Sequence, residues 1–120
     1  MTEKVSLQGR HILVVEDDFL IGFDFAETLK ELGAKVIGPV GNVDDALDLL
    51  AETTGINGAV LDLNLGGEMS YPIADALAER GIPFVFTTGY DQANVAPRFS
   101  EVRRCGKPVL ISDLVQALSK

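Results

Sequence analysis

The chain has 120 residues, 47% of them hydrophobic, and a formal net charge of −8. That length suits one domain with a core of its own, and that charge argues against nucleic acid as a partner. The single cysteine, Cys105, excludes an internal disulfide and fits a reducing, cytoplasmic compartment; no apolar run resembles a signal peptide or reaches membrane-spanning length, so no membrane partner is expected.

Residues 1–10 are polar and read as a short arm, leaving residues 11–120 as the domain. His11-Ile12-Leu13-Val14-Val15 is a compact apolar run that ends in Glu16-Asp17-Asp18, the pattern of a buried strand followed by acid. Asp17 or Asp18 suits the N-cap of a first helix. Ile21, Phe25, Leu29 and Leu32 recur at helical spacing, and Gly33 is placed to end that helix. Ala34 to Gly38 reads as a second strand, broken by Gly38-Pro39. Asn42 is the expected N-cap of a second helix whose inner face is Val43, Ala46, Leu47 and Leu50.

Gly58 to Gly67 is the stretch around which the rest is arranged. Ala59-Val60-Leu61-Asp62 has no polar face until its last residue, and Asn64, Gly66 and Gly67 then turn the chain. Pro72 fits the first turn of a third helix, with Ile73, Ala76 and Leu77 inward and Gly81 as its stop. Pro83 to Gly89 is a fourth strand ending in two hydroxyls, Thr87 and Thr88. Asn94, Pro97 and Ser100 make Asp91 to Ser100 poor helix material, so a fourth helix is expected to be short or irregular. Glu101 to Cys105 is the weakest strand candidate. Gly106-Lys107-Pro108 follows, and a last helix carries Leu114, Val115 and Leu118 inward.

Five strand–helix units predict an α/β fold, a doubly wound parallel sheet covered on both faces. Right-handed crossovers favour the flavodoxin-like order 2-1-3-4-5. The strand ends then bring Glu16, Asp17, Asp62, Thr88 and Lys107 to one edge. Clustered carboxylates repel one another and call for a counter-charge. Mg²⁺ suits that place, since it takes one or two carboxylates with waters and phosphate oxygens. Lys107 adds a second positive group, and the Thr88 hydroxyl can bond an incoming oxyanion. The set fits phosphoryl transfer, with one carboxylate as nucleophile giving an acyl phosphate.

These residues resemble the receiver domains of two-component response regulators over about Arg10 to Lys120. Ile12 to Asp18 is similar to the family's acidic first-strand motif; Asp62 matches the phosphoacceptor, Thr88 the switch hydroxyl, and Lys107-Pro108 the lysine and proline. The resemblance implies that Asp17 and Asp62 bind Mg²⁺ directly, Glu16 through water, and Asn64 through its backbone carbonyl. Asn64 to Met69 and Pro83 to Tyr90 resemble the FATGUY subgroup, often single-domain receivers, with Thr87 where its name has Ala. Gly66 stands in place of the usual proline, and Arg104 in place of the usual switch aromatic.

The implied function is a phosphoacceptor that takes a phosphoryl group from the phosphohistidine of a sensor histidine kinase. It is not an enzyme on other substrates, and it signals as a monomer to a downstream protein partner. Residues 91–100, with Arg98, Arg103 and Arg104, are the expected output face. Two other classes share parts of the pattern. A haloacid-dehalogenase-like Mg²⁺-dependent phosphatase needs a second acid where Asn64 stands. A flavin binder needs a phosphate-cradling loop where acids stand.

Overall fold

The computed structural model describes residues 7–89, 95–107 and 109–118. The five-stranded parallel sheet has the order β2-β1-β3-β6-β7, formed by β1 (His11–Val15), β2 (Lys35–Val40), β3 (Gly58–Asp62), β6 (Phe84–Thr88) and β7 (Arg104–Gly106). In sequence order this is the expected 2-1-3-4-5 arrangement. A small antiparallel hairpin, β4 (Asn64–Leu65) and β5 (Glu68–Met69), follows β3 directly.

Among the described residues, four α-helices cover the sheet: α1 (Phe19–Glu31), α2 (Val43–Glu52), α3 (Tyr71–Glu79) and α4 (Ile111–Leu118). Helices α2 and α3 bury Leu13, Val15, Ala59, Leu61 and Phe86 on one face. Helices α1 and α4 bury Ile12, Val14, Val60, Val85 and Cys105 on the other. Every residue of β3 is buried, as a strand between two helical layers requires.

Local chemistry sets the helix ends. Asp18, not Asp17, caps α1, its Oδ1 accepting from the N–H groups of Leu20 and Ile21. Asn42 caps α2 by accepting from Asp45 N–H at 2.8 Å. Gly33 and Gly81 have φ of +101° and +69°. In both places the next N–H turns back to a helix carbonyl, Ala34 to Leu29 and Ile82 to Leu77.

Several boundaries differ from expectation. Helix α1 buries Gly22, Ala26 and Leu29, leaving Ile21, Phe25 and Leu32 half-buried. Gly22 lets Pro39 come close, since a Cβ there would stand 3.1 Å from the proline ring. Helix α3 buries Ala74 more fully than Ala76. Strand β2 runs through Gly38-Pro39 instead of breaking: the ladder shifts between Leu13↔Ile37 and Val15↔Val40. An edge strand tolerates a proline at such a bulge, and Gly38 supplies a φ of +102°. Strand β7 is Arg104–Gly106, not Glu101 to Cys105, because a 3₁₀ turn at Pro97–Phe99 and the turn after it delay its start. That turn is the short, irregular element expected there; Asp91 to Asn94 lie outside the described residues, as does Pro108. Within the stretch read as an arm, Leu7 is 1% exposed and packs in the α1/α4 layer, with its N–H on the Leu32 carbonyl.

Candidate functional site

The polar groups collect at the carboxyl edge of the sheet: Glu16 and Asp17 follow β1, Asp62 ends β3, Thr88 ends β6 and Lys107 follows β7. Pairing continues one step past β1, where Glu16 N–H donates to the Val40 carbonyl at 2.9 Å. It also continues past β7, where Lys107 N–H donates to the Thr88 carbonyl at 2.8 Å. These bonds fix the backbone under both side chains. Asp62 is the last residue of β3 and is 5% exposed.

The Lys107 ammonium joins the buried carboxylates. Its Nζ donates to Asp62 Oδ2 at 2.9 Å and lies 3.1 Å from Glu16 Oε1 in an ion pair. Asp62 Oδ1 accepts from Asn64 N–H at 3.3 Å, and Glu16 Oε2 from Asp18 N–H at 3.0 Å. Burial pushes the Glu16 carboxyl up to about 7; the neighbouring Asp62 adds to this, while the Asp18 N–H and Lys107 oppose it. For Lys107 burial works downward, but bonds to Asp62 and Glu16 outweigh it and hold the ammonium above its ordinary value.

One carboxylate oxygen from each of Glu16, Asp17 and Asp62 lies within 4.8 Å of the others. Such an all-oxygen set, with exposed Asp17 open to solvent, fits a hard divalent cation that keeps some of its water. The Asn64 side chain is committed to the hairpin, its Oδ1 accepting from Gly67 N–H at 2.6 Å. The same commitment weighs against the phosphatase alternative, which wants a free acid at that position. Thr88 closes β6 and is 7% exposed.

A scan against protein-family models finds no match. Among curated proteins, the transcriptional regulatory protein PdtaR of Mycobacterium tuberculosis is 30% identical over 113 residues, which cover 91% of this chain and 55% of PdtaR. The chain thus spans about half the length of the curated relatives it matches. A response regulator receiver protein from Sinorhizobium medicae shares the fold, with a TM-score of 0.77 at 24% identity over 95% of this chain and 94% of that one. SdrG from Sphingomonas melonis is 39% identical over 99% of this chain and 97% of its own, with a TM-score of 0.80. The chain belongs to the response regulator receiver domains. The BeF3-activated conformation of SdrG, 38% identical over the same shares of both chains, has a TM-score of 0.74.

In this receiver domain the basic residues near the expected output face are divided. Arg98 forms a bidentate pair with Asp75 on α3, at 2.9 and 3.0 Å, and lies over the rings of Tyr71 and Phe99. Lys107 belongs to the acidic site, and Arg103 and Arg104 are exposed. The expected patch of Arg98, Arg103 and Arg104 is therefore not one set of open cations. Two buried hydroxyls, Ser70 and Thr87, have no hydrogen-bond partner among the described residues, and Thr87 pairs in register with Asp62. Thr87 was legible only as one of two strand-end hydroxyls, and Ser70 carried no signal.

Proposed function

We propose that Asp62 accepts a phosphoryl group from the phosphohistidine of a sensor histidine kinase. A carboxylate oxygen attacks phosphorus, the P–N bond breaks, and its electron pair goes to the imidazole nitrogen. The product is an acyl phosphate on Asp62. The observation that carries this reading is the Lys107–Asp62 contact within the three-carboxylate cluster. Lys107 orients the nucleophile and offsets charge on the transferring group. Asp17, Asp62, Glu16 and the Asn64 carbonyl would hold Mg²⁺, which when bound supplies charge neutralisation for the phosphoryl oxygens. Thr88 bonds a phosphoryl oxygen and couples the site to the loop after β6. The BeF3-activated form of SdrG supports an acceptor that responds to a phosphoryl mimic.

A protein donor, rather than only a small molecule, is supported by the apolar surface beside the acids. Phe19, Leu20 and Phe23 are 75%, 73% and 50% exposed on the first turns of α1, directly after Asp18. Their spacing puts them on neighbouring positions of the helix, and exposed apolar clusters mark interaction sites. The chain acts as a cytoplasmic, monomeric signalling receiver of the FATGUY subgroup and signals to a protein partner; it turns over no other substrate.

Incubation with Mg²⁺ and acetyl phosphate should add one acid-stable, base-labile phosphate, read by intact mass. Asp62→Asn should take none; equal labelling of that variant rejects the assignment. The double change Phe19→Ser, Phe23→Ser should slow transfer from a phosphorylated kinase about tenfold or more, while labelling by acetyl phosphate stays as in the native protein. Loss of both reactions together would mean that the patch serves folding, not docking.

A further inference from the structure

Thr87 is fully buried, and its Oγ1 has no hydrogen-bond partner among the described residues. A buried hydroxyl without a partner is disfavoured and calls for a reason. Its position supplies one. Thr87 pairs in register with Asp62 on one side and with Cys105 on the other.

The faces of the sheet place its side chain among the site residues. Val14, Val60, Val85 and Cys105 all pack in the α1/α4 layer. Two residues further along each chain stand Glu16, Asp62, Thr87 and Lys107, returned to that face by the strand repeat. Lys107 follows β7, yet its ammonium reaches Asp62 at the end of β3. Those strands are two spacings apart, about 9–10 Å, with β6 between them. The lysine stem therefore crosses β6, and the residue of β6 on this face at this level is Thr87.

We infer that Thr87 is a positioning residue for Lys107 in the phosphorylated state, an inference that rests on Asp62 as acceptor. An ammonium has three N–H donors; in the resting protein one of them bonds Asp62, and Glu16 stands beside the ammonium as an ion pair. Acyl phosphate formation draws the ammonium from the Asp62 carboxylate toward the phosphoryl oxygens. The Thr87 hydroxyl then accepts one ammonium N–H and holds Lys107 against the phosphoryl group. A hydroxyl unsatisfied at rest and satisfied after transfer favours the phosphorylated form.

The test compares Thr87→Val, which keeps the shape and removes the hydroxyl, with Thr87→Ser, which keeps the hydroxyl. Melting temperature in the absence of Mg²⁺, beryllofluoride affinity and the rate of labelling by acetyl phosphate are measured for each. Thr87→Val should melt at or above the native temperature, because it removes an unpaired buried hydroxyl. It should bind beryllofluoride about tenfold more weakly and label correspondingly more slowly. Thr87→Ser should restore both, and in a Lys107→Ala background Thr87→Val should add no further loss. Native affinity and rate in Thr87→Val overturn the proposal, as does a lowered melting temperature that Thr87→Ser restores. A native protein that takes no label overturns the acceptor reading as well, so the two failures are distinct.

Discussion

Glu16 is 4% exposed and shares the Lys107 ammonium with Asp62. Burial raises its carboxyl from 4.5 to about 7, so the folded chain holds this proton more tightly than the unfolded chain does. The stability it contributes is fully present below pH 4.5 and is lost as pH rises through about 7. In chelator, the melting temperature of Glu16→Gln should therefore fall less than that of the native protein across this window. Matching slopes would mean that Glu16 does not titrate there. Lys107→Ala removes the cation that the two acids share. It should lower stability at pH 7.5 and slow labelling, since breaking a buried pair leaves the remaining charges uncompensated.

Gly66 and the segment after β6 carry the constraints that belong to whole elements. Gly66 has a φ of +65°, which a proline ring fixed near −65° does not reach. Gly66→Pro should thus disrupt the β4–β5 hairpin and cost about 1–3 kcal/mol or more in thermal unfolding; an unchanged melt would count against that backbone requirement. Residues 96–99 are pinned to α3 by three contacts among the described residues: Tyr71 Oη accepts from Ala96 N–H at 2.9 Å, Arg98 pairs with Asp75, and Phe99 stacks on Tyr71 with ring centroids 5.5 Å apart. Tyr71→Phe should speed hydrogen exchange at Ala96 by about an order of magnitude, as expected for one hydrogen bond. Unchanged exchange would mean that the other two contacts hold the segment alone. None of these contacts was legible in the sequence, because they join residues more than twenty positions apart. The hairpin was read only as a turn, since two-residue strands are too short to show a period. Strand β2 was cut at Gly38-Pro39 because that dipeptide ends most strands; its edge position, which permits a bulge, is a property of the assembled sheet.

The alternation of strands and helices made the parallel sheet legible, and the acid or lysine after three strands made most of the site legible with it. What did not show was which face each side chain takes, and so Thr87 passed as a strand end. At the scale of the whole domain, the acids and Lys107 form one cluster, with more acid than base, that joins β1, β3 and β7. A ligand that binds only the folded cluster stabilises the entire fold. Mg²⁺ at about a hundredfold over its dissociation constant should add about 2.7 kcal/mol to unfolding free energy, read as a rise in melting temperature. Asp17→Asn should reduce that rise without lowering the metal-free melting temperature, because Asp17 is exposed. A native melting temperature indifferent to Mg²⁺ would remove the cation from the site.

Both margins of the sheet are poor templates for another chain. On one side, the bulge at Gly38-Pro39 interrupts β2, and the proline has no N–H to offer an incoming strand. On the other, β7 has only three residues, opens on the exposed Arg104 and follows the exposed Arg103. Fibrillar growth by strand addition needs a long, regular, uncharged edge, and neither margin provides one. Concentrated solutions should therefore remain free of thioflavin-positive material at neutral pH. Replacing Pro39 and both arginines with valine should be what brings such material on.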